Sequence, residues 1–103
     1  MPPDLGRLFI GQGDGPDPDR LRQALTLVRG VAARAPRAFR PAPLTVAAWM
    51  SWALGRSTHA THYLRAAGEI DPEYSLAHLL GDLIDAAVLP EWTFRRGGGM
   101  EAL

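Results

Sequence analysis

Apolar residues recur at helical spacing through the middle of the chain and lose that order at both ends. Leu21, Leu25, Val28, Val31, Ala32 and Ala35 form one stripe of a helix predicted from about Pro18 to Ala35. Asp17 is placed to cap it, Pro18 suits the first helical position, and Asp19 complements the positive end of the dipole. Pro36 ends it, and Arg22 and Arg29, seven residues apart, share its polar side. A second helix, about Pro43 to Leu54, is apolar on nearly every side and belongs at the centre of a bundle. The third, about Thr58 to Ile70, is capped by Ser57. It turns Ala60, Tyr63, Leu64 and Ala67 inward and His59, His62, Arg65 and Glu69 outward. The fourth, about Pro72 to Val88, starts behind Asp71 as cap. Leu76, Leu79, Leu80, Leu83, Ile84 and Ala87 keep its period, with His78, Asp82 and Asp85 off the stripe.

No stretch alternates as a strand does, so the expected fold is all-α: a small four-helix bundle over residues 17–92. Within it, Ala48, Gly55, Ala60, Leu64, Ala67 and Pro72 fall at the small, turn and stop positions of a tetratricopeptide-like helical hairpin. The connector from Pro36 to Pro43 carries three prolines in eight residues and is expected to be stiff and semi-extended. Residues 1–16 and 93–103 read as flexible segments, with Trp92 and Phe94 able to fold back on the bundle. In the first segment Gly11-Gln12-Gly13-Asp14-Gly15 looks like a phosphate-cradling loop. However, Pro16 stands where the third glycine of a dinucleotide fingerprint is needed, and no sheet surrounds it, so linker is the better reading.

Charge changes the picture more than composition does. The chain of 103 residues is 47% hydrophobic with a formal net charge of +0, which on its face advertises neither nucleic acid nor membrane as a partner. That zero conceals two halves. From Arg20 to Arg65 there are eight arginines and no acid; from Ala66 to Phe94 there are six acids and no basic residue. Three arrangements follow. The first and fourth helices could be neighbours that screen each other. The basic face of one copy could meet the acidic face of another, through Arg22, Arg29, Arg37 and Arg40 on one side and Asp82 and Asp85 on the other. Or the arginines, with Arg34, could neutralise phosphates of a nucleic acid, although no helix-turn-helix pattern accompanies them.

Candidate chemistry is sparse. Without cysteine there is neither a disulfide framework nor thiolate chemistry. His59 and His62 stand three apart, a spacing that shares a metal only if a third ligand arrives, and no HExxH pattern or carboxylate cluster supplies one. Ser51, Ser57 and Ser75 lack a nucleophile elbow, and Trp49, Met50 and Trp52 read as core. No catalytic residue, metal site or cofactor is therefore expected. The N-terminus lacks a secretory pattern and the apolar run from Ala42 to Leu54 is too short to span a bilayer, so a cytoplasmic protein without a membrane partner is expected.

Taken in order, a helix ending in Arg-Ala-Pro, then APLTVAAWMSWALG, then a helix closing on Asp-Pro-Glu-Tyr-Ser-Leu, then a leucine helix ending at Leu89-Pro90 and Trp92, resembles an actinobacterial family. It is known only as domain of unknown function 4192, and the resemblance lies with its C-terminal part, over about Asp17 to Trp92. The turn of such relatives, usually Gly-Asp/Asn-Gly, is here Gly55-Arg56-Ser57. The resemblance implies a helical, tetratricopeptide-like end-domain standing alone and brings no activity with it. With fewer repeats than a stable array needs, such a bundle keeps partly apolar ends. The expected role is a non-enzymatic protein-interaction or self-assembly module, with nucleic-acid association as the alternative.

Overall fold

Asp17 caps the first described helix as expected: its carboxylate accepts from the Asp19 N–H at 3.0 Å, and Pro18 takes the first helical position. A computed structural model describes residues 15–86 together with Pro90 and Thr93. Among these residues there are four α-helices and no strand: α1 Pro18–Arg34, α2 Pro41–Ala53, α3 Ser57–Ile70 and α4 Ser75–Asp85, with a 3-10 turn at Arg37–Phe39. The protein is a small all-α bundle. The segments expected to be flexible, apart from Gly15, Pro16 and Thr93, lie outside the described residues, as do Ala87, Val88, Trp92 and Phe94.

The proline-rich connector is not extended. The Phe39 N–H bonds the Pro36 carbonyl at 2.9 Å and the Arg40 N–H bonds the Arg37 carbonyl at 3.1 Å, coiling it into the 3-10 turn. α2 then begins two residues earlier than expected. Pro41 and Pro43 fall in its first turn, where a helix has unsatisfied N–H groups in any case, so their missing donors cost nothing.

α2 is the central helix, packing against the other three. Ala48 and Trp52 meet Ala60 of α3 and Leu80 of α4, all fully buried. Ala53, Trp49 and Met50 on another side meet Leu21 of α1. The alanines matter by being small: Ala48, Ala60 and Ala67 have no accessible surface, and a longer side chain would force α2 and α3 apart.

The hairpin between α2 and α3 closes on Gly55, at φ 80°. The Gly55 N–H bonds the Trp52 carbonyl and the Arg56 N–H the Ser51 carbonyl, each at 2.8 Å, the bond pair of a Schellman cap with glycine in the left-handed position. Ser57 does not cap α3. Arg56 sits at the N-cap, its carbonyl accepting from the Ala60 N–H at 3.0 Å, and Ser57 is drawn into the first turn.

α4 is shorter than its leucine period suggests. The Asp71 side chain accepts from the Glu73 N–H at 3.1 Å, closing a turn that competes with helix, and the helix starts at Ser75. Its stripe is also narrower: Leu80 is buried and Leu83 and Ile84 are partly covered, but Leu79 is 52% exposed and Leu76 is exposed too. In α1, Leu21, Leu25 and Ala32 are buried whereas Val31 is 53% exposed. Both departures share a cause. Each outer helix is covered from one side, so only the centre of its stripe meets the bundle.

Candidate functional site

A cleft of about 650 Å³ has α2 as its floor and α1 and α3 as its walls. Leu44 and Ser51, seven residues apart, lie on the same face of α2 and form that floor. Leu25, Arg29 and Ala32 line the α1 wall; Arg56, His59, His62, Tyr63 and Ala66 line the other. Arg37 and Arg40 come from the 3-10 turn, and Glu69 and Ile70 from the last turn of α3. Four arginines, 29, 37, 40 and 56, thus converge on a partly apolar depression. Arg40 is held in place: its Nε donates to the Ala35 carbonyl at 2.8 Å, which orients the guanidinium plane.

A smaller groove of about 180 Å³ runs between α3 and α4, with Asp71, Asp82 and Asp85 in its lining beside Leu64, Gly68 and Gly81. His78 crosses it, bonding the Pro72 carbonyl through Nε2. On α3, His59, His62, Tyr63 and Ala66 border the cleft, and Leu64 and Gly68 border the groove. At about 100° per residue the two sets lie on opposite sides of the helix. The basic and acidic concavities therefore open in different directions.

They do not neutralise each other. Among the described residues the single ion pair joins Arg22 to Asp19 within α1, both well exposed. The expectation that the first and fourth helices are neighbours is not met: both pack on α2 and they share no extensive contact. Of the residues singled out from sequence, Arg29, Arg37 and Arg40 come together in the cleft, and Asp82 and Asp85 in the groove. Arg22 stands apart, engaged with Asp19.

Sequence reasoning missed Arg56, His59, His62 and Ser51 as members of the cleft. The available signal was Ser51 itself, a polar residue between Met50 and Trp52 in an otherwise apolar helix. Its side chain is fully buried and its hydroxyl has no hydrogen-bond partner. An orphaned buried hydroxyl costs about 1–3 kcal/mol. Thr45 avoids that cost by donating to the Pro41 carbonyl at 2.8 Å. Among the described residues no group of three or more histidine, cysteine or acidic side chains is placed to hold a metal, so His59 and His62 gain no third ligand there. No described helix is long and apolar enough to cross a membrane.

No curated protein and no solved structure matches the chain. The family described as Domain of unknown function (DUF4192) matches residues 17–91, which takes in all four helices, the cleft and the groove. The chain belongs to that family.

Proposed function

We propose that this domain is a non-enzymatic interaction module that assembles head to tail with copies of itself, the acidic, leucine-bearing side of α4 from one copy entering the arginine cleft of the next. The observation that carries the reading is the placement of uncompensated opposite charges in two concavities on opposite sides of α3. A surface that meets its complement on the far side of an identical molecule makes a heterologous contact, which propagates as a ring or an open chain. The apolar component matches as well. Leu79 is exposed on α4 one turn before Asp82, and Leu25, Leu44 and Tyr63 lie in the cleft among the arginines. Charge sets partner and register in such a contact, while the apolar area supplies most of the affinity. The tetratricopeptide-like character of the α2–α3 hairpin belongs to the same proposal, since stacked hairpins present concave faces to partner helices.

Light scattering on a sizing column, at low and then high salt, tests the reading. Assembly through these charges gives a defined oligomer at low salt that dissociates as the Debye length falls from about 8 Å toward about 3 Å. A monomer at both salts contradicts it. Were a nucleic-acid backbone the partner of the arginines, a monomer at low salt would retain a labelled single strand, and reversing Arg22, Arg29 and Arg37 to Glu would release it.

A further inference from the structure

Arg40 differs from the other arginines of the cleft in being half-buried and tethered. Its Nε donates to the Ala35 carbonyl at the end of α1, and its own carbonyl accepts from the Leu44 N–H at 3.0 Å. It therefore ties the last turn of α1 to the first turn of α2, and its side chain is fixed before any partner arrives. With Nε occupied, the guanidinium keeps the edge formed by its two terminal nitrogens, and no acid among the described residues pairs with it. Leu44, one turn along α2, lines the cleft on the same face. On α4, Leu79 and Asp82 are also one turn apart, and both are exposed.

We infer that α4 of the incoming copy lies antiparallel to α2 on the cleft floor, its Leu79 on Leu44 and its Asp82 on Arg40. The inference rests on the assembly reading and adds the register and the arginine that sets it. Arg40 to Leu44 spans about 6 Å of helix axis and Leu79 to Asp82 about 4.5 Å. Leucine therefore meets leucine while carboxylate meets guanidinium only when the two helices run in opposite directions. Run in parallel with the same leucine contact, Asp82 and Asp85 fall over the stretch from Ala47 to Ser51, which carries no charge. Run antiparallel, Asp85 continues toward Arg37 in the 3-10 turn. The distribution of charge along the cleft agrees. Arg37, Arg40 and, on α1, Arg29 lie toward the start of α2, where they outnumber Glu69 from the last turn of α3. Arg56 is the one cleft arginine at the hairpin end. A fixed guanidinium edge accepts a carboxylate in the bidentate manner that a lysine cannot reproduce.

The chain has no cysteine, so introduced pairs report the register without background. Ala38→Cys with Ala86→Cys places thiols at exposed positions beside Arg37 and Asp85. Treated with a short bismaleimide at low salt and resolved on a denaturing gel, this variant is expected to give a ladder of covalent multimers. His59→Cys with Ala86→Cys, the pair that parallel docking brings together, is expected to give no ladder. Arg40→Lys keeps the charge but loses the tether and the fork, and weakens association by about tenfold. Asp82→Asn weakens it to a similar degree, and the two changes together cost little more than either alone, a coupling that a purely structural role for Arg40 does not produce. Arg20→Lys, exposed on α1 outside the cleft, leaves association unchanged. Light scattering on the same variants separates the register from assembly itself. Oligomers that ladder through His59→Cys with Ala86→Cys, or additive losses at Arg40 and Asp82, overturn the register and leave assembly standing. Monomers at low salt overturn both.

Discussion

Two glycines show how backbone geometry, rather than residue type, decides what a position tolerates. Gly55 holds φ 80° at the hairpin cap, a conformation in which a Cβ meets the following carbonyl. Gly55→Ala is expected to destabilise the fold by about 1–2 kcal/mol in urea unfolding. Gly68 sits inside α3 with nothing within 4 Å of an added Cβ. There the gain in helix propensity is unopposed, and Gly68→Ala should stabilise by about 0.5–1 kcal/mol. Opposite signs for one chemical change in a single hairpin are the check, and equal signs contradict the account of the turn. The turn was legible in sequence because glycine directly follows the apolar run of α2. The Ser51 hydroxyl was visible as a polar interruption, but its lack of a partner depends on rotamer and neighbours that no spacing rule encodes.

At the scale of elements, periodicity located each of the four described helices but overstated how much of each is buried. The leucine stripe of α4 looks uniform in sequence, yet Leu80 is fully buried and Leu79 is 52% exposed, because α2 and α3 cover only one side. Leu80→Ala is therefore expected to cost about 2–5 kcal/mol. Leu79→Ala should fall within about 0.5 kcal/mol when both are measured at a salt concentration that suppresses association. Similar losses at the two positions contradict the burial pattern. α2 and α3 approach each other on alanines, so Ala60→Leu should lower stability by about 1–3 kcal/mol through overpacking despite its greater hydrophobicity. The boundaries that shifted did so for local reasons: side-chain turn chemistry at Asp71, a Schellman closure that leaves Ser57 no capping role, and prolines that fit a first turn as well as an extended strap.

For the molecule as a whole, the division of charge along the chain was plain from composition by segment, and its consequence was not. Whether two oppositely charged stretches screen each other depends on which helices touch, and that is set by α2 lying between α1 and α4. Placing both outer helices against a central apolar one leaves the arginine cleft and the acidic groove on opposite sides of α3. The same placement keeps a chain of zero net charge strongly polar at short range, which favours ordered association over non-specific attraction. The most direct measurement is mixing of two charge-reversed variants, Arg29→Glu with Arg37→Glu and Asp82→Arg with Asp85→Arg, followed by light scattering on a sizing column. Each variant alone should be monomeric, since like charges then face each other at every possible contact. Mixed in equal amounts they should assemble again in strict alternation, the unmodified cleft of the second accepting the unmodified groove of the first and the acidic cleft of the first accepting the basic groove of the second. Two variants that remain separate monomers when mixed, or that each assemble as the unmodified protein does, contradict the claim that these charges meet between chains.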